Sequence, residues 1–555
     1  MNPIKVIIED REYANWHFDS DIENLNPLEL KLFNNEIITL DNDNKVTIRD
    51  SYIRSKNAIP GVLQLEGNKT FGRTANNKRL FYKCIPNDPC LPIFLVPYEI
   101  KMGFLKQQCN KYVLFYFDSW EDKHPLGLLM ETIGDVSNIE CYYEYELHCK
   151  KLNISLSDFN KKTKKIFSDG IDPISKVIND DSYKIQDCRD KYVFSIDPVG
   201  SMDIDDTFSI ESNGNGWKIS IYISNVFLLL DYYDLWDSLS ARVATIYLPD
   251  RKRTMLPAIL SDDLCSLLEK KDRLAFVMEI IVDADGIVID RPIHFFNAVI
   301  NVSKNYRYEE SNLKKDKNYN QLFDISKKMN MVVTNSHDLV EQWMIMMNNS
   351  IGKCLAEKKV GIFRSVEVRN KNMLSELEGG IDNATYNTIR YWNNATGKYC
   401  LYKEGDVKHD VMGNNNYIHI TSPIRRLVDL LNQITALKTI GIFSKNADSF
   451  LDKWSNKMDF LNKNMKSIRK VQSNCELLNK CFYNPEVMDI HHKGFVFNKE
   501  VTGDRIRYTV YLEGLKLITS MKTTKDVPNY SYSNFKLFLF EDEDKIKKKI
   551  RLEII

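Results

Sequence analysis

The sequence predicts an α+β protein, with a central mixed α/β domain flanked by small β-barrels. Three observations predict it. Residues 59–150 alternate short apolar runs with Gly, Asn and Asp punctuation, as in "IPGVLQLEGNKTFGRTANNKRLFYKCIPND" and "KYVLFYFDSW". Such text encodes small strands and tight turns. Residues 191–484 combine strand alternation with long stretches of helical spacing, and residues 485–555 return to short strands, "GFVFNK", "IRYTVYL", "FKLFLF" and "KIRLEII". The length of 555 residues suggests roughly three to four domains.

Taken in order, residues 1–58 show no strong period and read as a divergent segment or a reduced barrel. Residues 151–190 are polar and Lys-rich, with "KKTKK" at 161–165, and read as a linker; the run is either a solvated face or a basic lip on an RNA path. "KYVFSIDP" predicts a strand ending at Pro198, and "TFSIES-NGNG-WKISIYIS" a hairpin. "VFLLL" at 226–230 reads as a buried strand. Helical spacing marks 339–358, 425–440 and 449–482. The last places Lys463, Lys466, Arg469 and Lys470 on one face, a solvated face or a nucleic-acid contact.

Lys+Arg and Asp+Glu are both 76, so the net charge is zero. That removes the global basic excess common in nucleic-acid binders but leaves room for a local basic groove. No apolar run approaches the ~20 residues of a membrane span. The start, "MNPIKVIIED", resembles neither a secretory signal nor a transit peptide, so a cytoplasmic protein is expected. Eleven scattered cysteines read as reduced thiols. Cys475, Cys481 and His491–His492 lack the paired spacing of common zinc sites.

"SIDPVGSMDIDDTFSI" packs Asp197, Asp203, Asp205 and Asp206 into ten positions. Four carboxylates repel one another unless exposed, protonated or neutralised by a cation, and oxygen ligands suit Mg²⁺ or Mn²⁺. A calcium EF-hand fails, since its sixth and twelfth positions counted from Asp203 hold Phe208 and Gly214. A structural acidic turn stays open beside the metal site. "YIHITSPIRRLVDLL" (417–431) places Arg425 and Arg426 at an expected helix start after Ser422-Pro423. Guanidinium groups there suit phosphate, against the plainer reading of surface ion pairs.

These residues resemble the RNB-type ribonucleases, the ribonuclease II/R and exosome catalytic subunit superfamily. The aspartate stretch is similar to that family's catalytic motif, and "YIHITSPIRRLVDLL" to its His-Phe-Thr-Ser-Pro-Ile-Arg-Arg block. "TIYLPDRKRTMLPAILSDDLCSLLEKKDRLAF" (245–276) matches further landmarks, and "DSWEDKHPLGLLMETIGDVSNIE" (118–140) resembles the end of a cold-shock barrel. The resemblance runs from about residue 60 to the C-terminus. Two departures stand out. Asn225 in "YISNV" sits where an acid is usual, and "DLLNQI" lacks the usual His-Arg.

The resemblance implies an RNB catalytic domain at 191–484, a cold-shock-like barrel at 59–150 and an S1-like oligonucleotide-binding barrel at 485–555, the barrels forming a funnel for RNA. It implies a processive 3′–5′ exoribonuclease that hydrolyses single-stranded RNA to nucleoside 5′-monophosphates. Asp197, Asp203, Asp205 and Asp206 would hold Mg²⁺ or Mn²⁺, two ions about 4 Å apart during catalysis. Asp205 would be the acid most sensitive to removal, and Arg425 would brace the scissile phosphate. Tyr247 would stack on the terminal base, with His419, Ser422 and Arg426 on the RNA path. The implied partner is single-stranded RNA; a monomer that does not engage a membrane is expected, and the sequence shows no evident protein partner. In the barrel, Arg73, Lys78, Arg79 and Lys83 lie beside Phe71, Phe81 and Tyr82, a mix that suits RNA. The competing reading is a catalytically silent RNA-binding scaffold that kept the fold; five retained site residues argue against it and Asn225 for it.

Overall fold

The computed structural model describes the chain apart from residues 1–2, 21–24, 42–44, 76–77, 101–107, 169, 171, 290–292, 366–380, 383–384, 390–391, 393–396, 403–415, 504 and 543–546. It divides into two units. One comprises residues 1–153, 248–250 and 471–555, the other 154–247 and 251–470.

In the first unit, Ile59–Leu63, Leu80–Pro86, Phe94–Tyr98, Leu126–Asp135 and Lys111–Ser119 close into a five-stranded barrel. Residues before it form a four-stranded sheet ordered Trp16–Phe18, Ile4–Ile8, Ile37–Leu40, Val46–Asp50. That sheet shares the barrel's core, with Phe33 stacked on Phe94 at 5.9 Å between centroids. Near the C-terminus, Leu517–Thr523, Arg505–Leu512, His492–Thr502, Ser531–Asp542 and Lys547–Ile554 make a five-stranded antiparallel sheet.

The second unit holds a six-stranded mixed sheet that closes on itself. The long strand His294–Arg307 pairs antiparallel with Asp272–Val282 through one part and parallel with Val193–Asp197 through another. Asp206–Asn213 and Gly216–Ser224 form the expected hairpin, turned at Gly214 with φ +59°. Helices Ser336–Glu357, Leu427–Thr439 and Lys445–Ser455 belong to the same unit. In the first of these, Asn348 accepts the Ile420 N–H at 3.0 Å and donates to the Tyr417 hydroxyl at 3.2 Å. This fixes the segment that leads into Ser422 and Arg425.

Several sequence expectations are corrected. Residues 151–190 are not a linker. They carry helices Ser157–Ile166 and Pro173–Ile178, and Ile185–Asp187 joins the central sheet beside His294–Arg307. Phe159 and Thr163 are buried, and so are Ile174 and Val177, which anchors a segment whose composition is solvent-like. "VFLLL" is a helix, Val226–Tyr232, because Asn225 ends the preceding strand and accepts the Leu228 N–H as an N-cap. All five apolar side chains are buried, and a run buried all round carries no period to tell helix from strand. Residues 449–482 are two helices, Lys445–Ser455 and Met458–Tyr483. The second crosses the boundary between units, and its Leu477 and Cys481 lie in the C-terminal core. The helix expected from Arg425 begins at Leu427, so both arginines precede it and Ser422 does not cap it. Among the described residues no cysteine forms a disulfide.

Candidate active site

Each acid is set by a different element. Asp197 ends its strand, and Ser195 donates to its Oδ2 at 2.6 Å. A turn carries the chain to Asp203, helped by Gly200 at φ +83°. Ile204 is buried and pins the turn, donating to Ser266 Oγ at 2.9 Å and accepting the Leu267 N–H at 3.0 Å. Asp205 and Asp206 then enter the next strand, where Asp206 pairs with Ile223.

Asp205 is 3% exposed. Its Oδ2 accepts from Arg425 Nε at 2.9 Å and its Oδ1 from the Ile424 N–H at 3.0 Å. Arg425 also donates to Ser422 Oγ at 3.1 Å, while its side chain stays 47% exposed. The turn holding it is registered on the Tyr247 segment, since the Thr245 N–H donates to the Arg425 carbonyl and the Leu427 N–H to Val243. Tyr247, 40% exposed, donates its hydroxyl to Asp203 Oδ2 at 2.7 Å. Lys252 donates to Asp203 Oδ1 and Asp262 Oδ1, both at 2.9 Å.

Burial dominates the electrostatics. It pushes the Asp205 carboxyl up to about 7 despite Arg425 and the Ile424 N–H. It pushes Asp197 up to about 6, opposed by the Ser195 hydrogen bond, Arg307 and Arg425. It drives Asp206 well above the usual carboxylate range, with Asp197 and Asp205 adding to the shift. A bound cation would favour the ionised form of each of these acids.

Four buried or half-buried carboxylates are the donor chemistry of a hard divalent ion. The metal test is met in chemistry and only partly in placement. Among the described residues, no three His, Cys, Asp or Glu side chains converge as a ready cation cage. Asp205 is committed to Arg425, and Asp203 to Tyr247 and Lys252. Asp197 and Asp206 carry the largest unmet need for positive charge, and an ion would have to draw the acids together.

The site thus gathers Asp197, Asp203, Asp205, Asp206, Tyr247, Ser422 and Arg425. Two expected residues lie in an adjoining cluster. His419 Nδ1 hydrogen-bonds the Tyr399 hydroxyl at 2.7 Å. Arg426 is ion-paired to buried Asp429, its Nη2 donating at 2.9 Å, and that acid also accepts the Ser422 N–H at 2.9 Å. Sequence reasoning missed Lys252 and Tyr308. The hydroxyl of Tyr308 is pushed up by burial and by Asp206 and Asp197, and its ring stacks on His337 at 3.6 Å. Lys252 was visible inside "YLPDRKRTMLP", yet nothing local distinguishes it from Arg251 and Arg253.

Asn225, the departure noted in sequence, is structural. It is buried, caps its helix, and donates from Nδ2 to Asn297 Oδ1 at 2.8 Å, while Asn297 donates to the Tyr183 carbonyl at 2.8 Å.

A family model described as "RNB domain" matches residues 185–331 and 310–440. The mouse exosome complex exonuclease RRP44 is 24% identical over 400 residues, covering 58% of this chain and 41% of that protein. The chain therefore spans less than half the length of this relative. Among solved structures, Mycoplasma genitalium RNase R in complex with ribose-methylated single-stranded RNA aligns over 100% of both chains at TM-score 0.68 and 15% identity. Yeast Ssd1, described as a pseudonuclease, aligns over 96% of this chain and 80% of its own at TM-score 0.58 and 11% identity. At these identities the two structures establish a shared fold.

Proposed function

This chain carries an RNB domain and so belongs to the RNB-domain family, and from that premise we propose that it is a metal-dependent, processive 3′–5′ exoribonuclease acting on single-stranded RNA. The observation that carries the reading is the buried acid group, with Asp205 locked onto Arg425, inside that domain. Asp197, Asp203, Asp205 and Asp206 would hold Mg²⁺ or Mn²⁺. The chemistry such ions would supply, if held there, is activation of a water and neutralisation of the leaving 3′-oxygen. Asp205 aims Arg425, and the exposed part of that guanidinium meets the scissile phosphate, where charge grows in the transition state. Tyr247, tethered through its hydroxyl, presents a half-exposed ring on which a terminal base stacks. Ser422 holds Arg425 from its other side. The protein acts as a cytoplasmic monomer in this reading; no described helix is long and apolar enough to cross a membrane.

The test is single-stranded RNA labelled at either end and incubated with Mg²⁺. A 3′ label should appear at once as mononucleotide, and a 5′ label should end in a short residual fragment with few intermediates. Cleavage of circular single-stranded RNA at the linear rate would exclude a threading exonuclease.

A second reading is a silent RNA-binding scaffold. It is favoured by one observation, that Asp203 and Asp205 are already neutralised by Lys252 and Arg425 and no three acids converge among the described residues. Binding of the labelled RNA without Mg²⁺-dependent loss of label would select it.

A further inference from the structure

The five-stranded barrel of residues 59–135 carries a cavity that the reading above leaves unused. It has a volume of about 400 Å³ and is lined by Glu66, Lys69, Phe71, Lys83 and Asn110, with Gln64 and Glu541 completing the wall. Asn110 is its key residue, being 6% exposed. Its Oδ1 accepts the N–H groups of both Leu65 at 2.9 Å and Glu66 at 3.1 Å. Those two bonds fix the orientation of the amide, so the polar atom left for the cavity is the Nδ2 donor. That donor has no hydrogen-bond partner among the described residues.

The surroundings define what it would meet. Phe71 is partly exposed, and Lys69 and Lys83 place their ammonium groups 5.8 Å and 5.0 Å from its ring centroid. Aromatic rings flanked by cations take a nucleobase on the ring and a phosphate on the cations. Glu66 and Glu541 add exposed carboxylates, and neither forms an ion pair with another described residue. Beside its two ammonium groups, the cavity therefore offers one rigid amide donor and two carboxylates as acceptors. Guanine matches that set, with the O6 acceptor next to the adjacent N1–H and N2–H₂ donors. Uracil offers a single donor between two acceptors, and adenine and cytosine leave part of a carboxylate facing an acceptor or a carbon.

We propose that this cavity is a guanine-reading subsite for single-stranded RNA, with Phe71 stacking the base, Asn110 donating to O6 and Glu66 accepting from N1–H and N2–H₂. The proposal rests on the RNA substrate proposed above but not on cleavage.

Asn110→Asp is the discriminating variant. It keeps an oxygen for the Leu65 and Glu66 N–H groups and replaces the donor by an acceptor. Glu66→Gln, at an exposed position, is the second. Fluorescence anisotropy of the full chain in EDTA would compare an all-U oligonucleotide with versions carrying one central G, A or C. Wild type should bind the G version about tenfold tighter than the others, as expected for one good hydrogen-bonded base edge. Both variants should lose most of that preference while keeping all-U affinity within about twofold. Equal wild-type affinities for the four oligonucleotides, or a preference intact in both variants, overturns the subsite. If no oligonucleotide binds, the RNA reading and the subsite fall together. If guanine is preferred yet Mg²⁺ releases no mononucleotide, the subsite stands and the cleavage reading falls alone.

Discussion

At the scale of single residues, the site is a set of acids held in a poor solvent for charge. Asp197 and Asp205 titrate near 6 and 7 in the folded chain, against an unfolded carboxylate near ~4. Between those values the native state binds more protons than the unfolded one, so these two groups lose stability as pH rises from about 4 to 7. Urea unfolding in EDTA should show the metal-free protein less stable at pH 8 than at pH 5, by on the order of a few kcal/mol from this source. Mg²⁺ should raise stability more at pH 8 than at pH 5, because the ion competes with fewer protons there. An equal Mg²⁺ effect at both values would place the metal elsewhere. On the proposed function, Arg425→Ala should lower kcat and kcat/KM together, since the guanidinium would face charge that develops only in the transition state. A raised KM with unchanged kcat would reduce Arg425 to a substrate contact. Asn225→Asp should destabilise the protein by about 1–3 kcal/mol, because the Nδ2 donor to Asn297 is replaced by an oxygen facing an oxygen in a buried place. The measurement is the urea midpoint; an unchanged midpoint would mean Asn297 simply rotates.

Elements turn those residues into a site. The turn 422–426 is held from below by Asp429 on the helix Leu427–Thr439, which accepts from the Ser422 backbone and pairs with Arg426. Asp429→Ala leaves a guanidinium without its partner in a mostly buried setting and should cost about 3–5 kcal/mol. Because Arg425 rides on the same turn, turnover should fall as well, with RNA affinity much less affected. Thermal melting and single-turnover kinetics on one preparation separate the two effects. The helix Ser336–Glu357 makes room at Gly352 for the stretch leading into that turn, since an added Cβ would collide with the Asn416 carbonyl oxygen. These supports explain why the arginine stays aimed while standing ahead of the helix.

Across the whole molecule, the chain ends cooperate. Residues 1–153 and 471–555 form one unit, so the last two turns of Met458–Tyr483 belong to the C-terminal sheet through Leu477 and Cys481. Removing residues 485–555 strips the cover from those side chains. The truncated chain should unfold less cooperatively in urea and be cut rapidly by protease near residue 477, whereas the full chain resists. Equal protease resistance would show that the helix end is stable alone. The zero net charge is also uneven locally, with four aspartates gathered between positions 197 and 206 of the central sheet, while Lys69 and Lys83 stand beside Glu66 and Glu541 at the barrel cavity.

Four aspartates in ten positions, the paired arginines and the hairpin alternation were determined by the sequence itself, because turn chemistry and strand period act over a few residues. So were the small-strand text of both flanks and the resemblance of the landmarks between 197 and 431. The rest depended on packing. That Asp205 meets Arg425, 220 positions away, that Lys252 closes on Asp203, and that Tyr308 comes within electrostatic reach of Asp206 follow from strand register and loop anchoring. Residues 151–190 and "VFLLL" were misread because a solvent-like composition and an apolar run lack the period that separates the alternatives. Burial then determined the chemistry: the same four carboxylates are ordinary acids on an exposed loop and proton-holding, cation-seeking groups once the sheet and the 422–426 turn remove water from them.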